Sequence, residues 1–100
     1  MLILRKNWGS NMFQVAYTKK VQKQIKKLDR SVQYLLLSWI DKNLEGTDSP
    51  RQLGKPLTAN RTNQWRYRIG HYRLLCDIQD DKAIILALEV GHSSKFYKNN

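Results

Sequence analysis

Acidic residues are scarce in this chain. Eight Asp and Glu stand against eighteen Lys and Arg over 100 residues, a formal net charge of +10. That excess points to a polyanionic partner: nucleic acid, an acidic protein or an anionic membrane surface. Cysteine is scarcer still, and the lone Cys76 rules out an intrachain disulfide framework. One Cys and two separated histidines, His71 and His92, supply no metal-ligand spacing and argue against a zinc site. The five glycines are scattered, so there is no Gly-rich loop to cradle a phosphate. No apolar run approaches the ~20 residues that cross a bilayer. Met1-Leu2-Ile3-Leu4 is followed at once by Arg5, Lys6 and Asn7, which does not read as a signal peptide. The expectation is one small cytoplasmic domain with a modest core, no cofactor and no membrane partner.

The informative stretch is Gln64 to Arg73, Q-W-R-Y-R-I-G-H-Y-R. Read as strand, two-residue turn and strand, it is two-sided, because side chains alternate faces. Gly70-His71 serves as the turn, with Gly supplying a positive φ. This predicts the pairs Ile69–Tyr72, Arg68–Arg73, Tyr67–Leu74 and Trp65–Cys76. Trp65, Tyr67, Ile69, Tyr72, Leu74 and Cys76 then share a core face, and Cys76 reads as a small buried hydrophobe. Arg66, Arg68 and Arg73 share the other. Like charges directly opposed on a sheet cost about 0.2–1 kcal/mol per pair, so three clustered guanidiniums predict an anion between them. Phosphate suits the planar fork of Arg. From Ser49 to Cys76 there is no acidic residue, while Arg51, Lys55, Arg61, Arg66, Arg68 and Arg73 all fall there.

Around this hairpin the chain predicts the order β-α-α-β-β-β. That is an α+β domain, a helical hairpin on one face of a mainly antiparallel four-stranded sheet. Residues 1–11 read as a leader apart from the domain, which spans 12–100. Met12 to Tyr17 is a strand. Thr18 can N-cap a helix from Lys19 to about Leu28, with Val21, Ile25 and Leu28 on one side and five lysines on the others. A second helix from Val32 to about Leu44 carries the apolar stripe Val32, Leu35, Leu36, Trp39, Ile40 and Leu44, in which Trp39 reads as packing. Gly46 and Pro50 mark a loop. Arg51 to Asn63 is expected to be a connecting segment and Asp77 to Lys82 a polar turn. Ala83 to Val90 reads as a central strand covered on much of both faces.

A cluster of Arg, His and Tyr can cleave RNA without metal. The 2′-hydroxyl must lose a proton, the phosphorane must be stabilised, and the leaving 5′-oxygen must gain a proton. Arginines suit the second task, and His92 is the usual type of proton-transfer group near neutral pH. Tyr97 can orient a nucleotide or stack a base.

The patterns L-G-K-P-L at 53–57, Q-W-R-Y-R-I-G-H-Y-R at 64–73 and L-E-V-G-H…Y at 88–97 follow a basic helical hairpin. In that order they resemble the RelE/ParE superfamily of type II toxin–antitoxin toxins, the RelE branch most. The resemblance implies a toxin that cuts mRNA in the ribosomal A site by 2′-OH attack. It also implies a cognate antitoxin partner in a hetero-oligomer. Arg66 and Arg68 match the family's two basic positions on this strand. The second is a Lys proposed as general base in the best-known branch; a guanidinium is a poor base, so Arg68 is assigned to the phosphate. Arg73 matches a phosphate-stabilising arginine and Tyr97 the C-terminal tyrosine that positions the scissile nucleotide. Lys55, Arg61 and Lys95 are expected to bind RNA. Where related sequences carry an Arg after V-G-H, this chain has Ser93 and Ser94. His92, then Lys95, is the expected leaving-group acid. The alternatives are a ParE-like inhibitor of DNA gyrase and a non-enzymatic basic RNA-binding subunit.

Overall fold

Gln14–Tyr17 forms β1, and Lys19–Lys26 and Arg30–Asn43 form α1 and α2. The strands β2 (Lys55–Thr58), β3 (Arg61–Ile69), β4 (Tyr72–Gln79) and β5 (Ile84–His92) follow, and Ser93–Phe96 forms the short α3. The computed structural model describes residues 12–58 and 61–96, with side chains for all of these except 61, 62, 95 and 96. The proposed leader at 1–11 lies outside the described residues. The five strands make one sheet in the order β1-β5-β4-β3-β2, parallel at β1–β5 and antiparallel elsewhere. The α+β class stands as expected, with one strand more. No helix among the described residues is long and apolar enough to cross a membrane.

Thr18 caps α1 as its sequence position predicts: its Oγ1 accepts from Val21 N–H at 3.1 Å. Val21 and Ile25 turn inward, and α2 adds Leu36, Ile40 and Leu44. These meet Trp65, Tyr67 and Ile69 of β3, Leu74, Cys76 and Ile78 of β4, and Ile85, Ala87 and Val90 of β5. Gln33 of α2 ties the two helices together. Its Nε2 donates to the carbonyl of Ile25 at 2.9 Å, which also accepts from Leu28 N–H, and to that of Leu28, just past the end of α1, at 3.0 Å. A second side chain completes the sheet where β1 stops short. Val90 N–H donates to Gln24 Oε1 of α1 at 2.8 Å, so a buried donor beyond the last β1 pair is satisfied.

The hairpin register is the one the alternation dictates. Ile69 faces Tyr72, Arg68 faces Arg73, Tyr67 faces Leu74 and Trp65 faces Cys76. Gly70 has φ +61° and His71 a negative φ, the pattern of a type II′ turn. The structure corrects the sequence reading in three places. The segment expected as a connection, 51–63, contains β2 and the first residues of β3. β2 is a short edge strand with Lys55, Leu57 and Thr58 all exposed, so it has no inward–outward pattern to read. Asp77–Gln79 belongs to β4, with Ile78 buried at its centre; only Asp80–Lys82 turns, and Ala83 takes a left-handed φ of 53°. β5 is flanked by strands and covered on much of both faces as expected, with Ile84, Leu86 and Leu88 of its second face partly exposed. In α2, Leu35 lies outside the core, 45% exposed, beside Tyr34 at 77% and Leu37 at 42%.

Replacing Gln33 with Ala is expected to lower stability by about 1 kcal/mol, because the carbonyls of Ile25 and Leu28 lose a side-chain donor and the helices lose that tie. Chemical denaturation should show a lower midpoint at unchanged m-value. A midpoint equal to wild type would mean that water serves those carbonyls equally well.

Candidate functional site

The arginines come together because β3 and β4 alternate. With Trp65, Tyr67 and Ile69 committed to the core, Arg66 and Arg68 must point the other way, and Arg73 lies directly across from Arg68. Arg66, Arg68 and Arg73 line a cleft of about 440 Å³ with Lys55, Gly54, Leu53 and Trp39. Among the described residues no acidic side chain lines it. Arg73 lies on the arginine face as expected, yet is only 7% exposed. Burial, then the charges of Arg66 and Arg68, lowers the Arg73 pKa. A guanidinium remains protonated regardless. The field in the cleft is therefore uniformly positive and partly desolvated, which strengthens its grip on an anion.

One wall of the cleft is the loop 50–54, and two core aromatics hold it. Trp65 Nε1 donates to Leu53 O at 2.7 Å and the Tyr67 hydroxyl donates to Pro50 O. Burial pushes the Tyr67 phenol above its ordinary pKa, so it stays a donor. Arg51 pins the loop from outside. It makes a two-pronged pair with Asp80, Nη1 to Oδ1 at 2.9 Å and Nη2 to Oδ2 at 2.8 Å, and its guanidinium lies 5.8 Å from the Trp65 ring centroid. Arg51 thus belongs to the scaffold and not to the free positive field the sequence suggested. Gly54 closes the loop at φ +77°, where a Cβ would sit 2.3 Å from Arg66 O and 2.8 Å from Trp65 Nε1. Only glycine fits there, and the fit sets Lys55 opposite Arg66 in the sheet.

His92 does not join the arginines. It pairs opposite Tyr72, one residue beyond the Arg73–Gly91 pair, and so projects from the other face of the sheet. There its ring stacks on His71 at 5.9 Å and meets the edge of Tyr72 at 5.4 Å. Its Nδ1 accepts from Ser94 N–H at 3.2 Å and lies 2.9 Å from Ser94 Oγ, holding the start of α3. Arg61 pairs with Thr58 at the β2–β3 junction, and Lys95 lies in α3. The side chains of both, and all of Tyr97, fall outside the described residues. Trp39 packs against Tyr67, with ring centroids 5.9 Å apart, as its place in α2 predicted. Its second role, lining the arginine cleft, was missed. So was Gly54, although L-G-K-P-L signalled it.

Gly54→Ala is expected to destabilise the protein by about 1–3 kcal/mol and to loosen β2. The readouts are Tm and amide exchange at 55–58; wild-type values for both would show that the loop has room to shift. Arg51 holds the Asp80 carboxyl below the usual carboxylate pKa, so the pair's contribution is present above about pH 4 and is lost as pH falls through the lowered folded value. The stability gap between wild type and Asp80→Asn should therefore be at most about 1 kcal/mol at pH 7, since the pair is largely exposed. Denaturation series should show it shrinking by pH 3; a gap independent of pH would assign the effect to something other than this pair.

A family model described as the ParE toxin of type II toxin–antitoxin systems, parDE, matches residues 15–97. Among solved structures, a chain of the RelBE2 toxin–antitoxin complex from Mycobacterium tuberculosis is 26% identical, with 81% of this chain and 98% of that one covered and a TM-score of 0.71. The isolated E. coli RelE toxin is 20% identical over 81% and 84% of the two chains, with a TM-score of 0.66. The archaeal RelE–RelB complex from Pyrococcus horikoshii gives 22%, 84%, 98% and 0.65 in the same order. At these identities the last two show the fold alone. No curated protein matches.

Proposed function

The chain belongs to the ParE toxin family of type II toxin–antitoxin systems, within the RelE/ParE superfamily, and from its arginine cleft we propose that it is a ribosome-dependent mRNA endoribonuclease. One observation carries this reading: Arg66, Arg68 and Arg73 converge on a single cleft with no acid among its lining residues. A fold that only needed solubility would gain nothing by burying one of three neighbouring guanidiniums.

In this mechanism the 2′-oxygen attacks the adjacent phosphorus. The O2′–P bond forms, the P–O5′ bond breaks, and a 2′,3′-cyclic phosphate and a 5′-hydroxyl result. Arg66, Arg68 and Arg73 neutralise the non-bridging oxygens as charge builds in the phosphorane. Arg68 does not act as base. Solvent takes the 2′-OH proton, and Lys55, lining the same cleft, adds a fourth cation to the RNA contact. Tyr97 positions the scissile nucleotide, and Arg61 and Lys95 add RNA contacts. His92, expected as the leaving-group acid, is held away on the opposite face, so Lys95 inherits that role in this proposal. The reaction uses no metal or cofactor. The ribosome and mRNA are the partners in the act, which places the protein in the cytoplasm. The likeness to chains from RelB–RelE complexes supports a cognate antitoxin as the other partner, in a toxin–antitoxin hetero-oligomer. The exposed Tyr34, Leu35 and Leu37 on α2 offer it apolar surface.

The matching family model favours a second reading, inhibition of DNA gyrase by binding alone. Mapping of mRNA 5′-ends in a reconstituted translation reaction separates the two. Ribosome-dependent cuts in the A-site codon are expected. Arg66→Ala and Arg68→Ala should each reduce them about 10²–10³-fold while keeping a wild-type melt, a cleaner test than buried Arg73, whose loss also disturbs packing. No cuts by the wild type, together with loss of gyrase supercoiling, would replace the nuclease reading with the second.

A further inference from the structure

Binding a phosphate does not require an indole, yet one lines the arginine cleft. Resting on the nuclease reading, we propose that Trp39 is a nucleobase platform: the base stacks on its indole while the phosphate lies on Arg66, Arg68 and Arg73.

Trp39 has the backing a platform needs. Tyr67 supports it at 5.9 Å with the rings tilted by 52°, and Tyr67 is itself fully buried and fastened through its hydroxyl to Pro50. The indole is thus held from the core side and partly exposed, bordering both the arginine cleft and a second hollow on α2 beside Tyr34, Leu35 and Lys42. Its position on α2 accounts for this. Leu36, Ile40 and Leu44 make the buried stripe, and Trp39 stands at the border of that stripe. Trp65, by contrast, is a structural tryptophan, nearly buried, with its Nε1 on Leu53 O and Arg51 over its ring.

The rest of the cleft suits a nucleotide better than a bare anion. Leu53, 43% exposed, is a second apolar side chain among its cations. A base placed there removes both Trp39 and Leu53 from water. The volume of about 440 Å³ falls in the ~300–1,000 Å³ range of small-molecule sites. An aromatic platform beside a cationic track is how single-stranded nucleic acid is held without strict sequence preference, because every base has a π-face. Trp39 therefore acts as a positioning residue: it fixes the base so that the neighbouring phosphate lies on the arginines, and it tolerates any base.

The test uses the full-length protein and an uncleavable 2′-O-methyl trinucleotide RNA. Its counterpart lacks the middle base and keeps the same phosphates. Calorimetric or NMR titration should find the intact trinucleotide bound about 5- to 150-fold tighter, the range carried by stacking one base. Trp39→Leu should erase that difference and leave the abasic affinity unchanged, and Trp39→Phe should keep most of it. Equal binding of the two oligonucleotides by the wild type overturns the platform, yet leaves the arginine site and the nuclease reading standing. No binding of either, even at low salt, removes the anion site and both readings together. Binding of an acidic, leucine-containing peptide with the same dependence on Trp39, in the absence of any base effect, assigns the indole to a protein segment instead. If Trp39→Leu fails to fold, the wild-type comparison and Trp39→Phe still decide.

Discussion

Everything at the cleft depends on the strict two-residue alternation of β3. Trp65, Tyr67 and Ile69 are buried against the helices, and this fixes Arg66 and Arg68 on the other face. A slip of one residue would drive both guanidiniums into the core and strand three large apolar groups in water. The type II′ turn at Gly70-His71 holds the register, and with it the alignment of Arg68 against Arg73. The repulsion among the arginines is thus enforced by hydrophobic burial. The core supplies the free energy that keeps like charges together.

The same aromatics serve a second purpose. Trp65 and Tyr67 are core residues by area, but their polar ends reach Leu53 and Pro50 and set the loop that walls the cleft. Gly54 lets that loop approach the β3 backbone closely enough to place Lys55 beside Arg66. The family resemblance and the local physics agree here. L-G-K-P-L and W-R-Y-R-I-G are two halves of one joint, the first shaped to lie over the second.

Much of this was legible in the sequence, for reasons of periodicity. The β3–β4 register, the α1 cap and the core positions of α1 all follow from alternation, helical spacing and turn chemistry. What escaped was whatever periodicity does not encode. β2 lies at the sheet edge, exposed on both sides, so no pattern marks it. Leu35 fits the apolar stripe of α2, yet it reaches only the Gly70 turn at the end of the hairpin and stays exposed. The burial of Arg73 and the cleft-facing side of Trp39 depend on how distant elements meet. His92 stands in the right motif, but its register opposite Tyr72 sends it to the wrong face for the arginines. Arg51 looked like part of the positive field because its partner, Asp80, lies far along the chain.

The sheet also has a temporal side. Its hairpins, β2–β3, β3–β4 and β4–β5, join neighbours in the chain, whereas β1 pairs in parallel with β5, matching Gln14 to Ile84. Contacts between near neighbours form early in folding, and those that close a long loop form late. β1 precedes both helices and the strands β2, β3 and β4 in the chain, so it must wait for β5 before it can pair. Until then α1 also lacks the strand on which Gln24 and Val21 settle. A chain of this architecture can pair its arginine hairpin before β1 and β5 meet to close the sheet behind it.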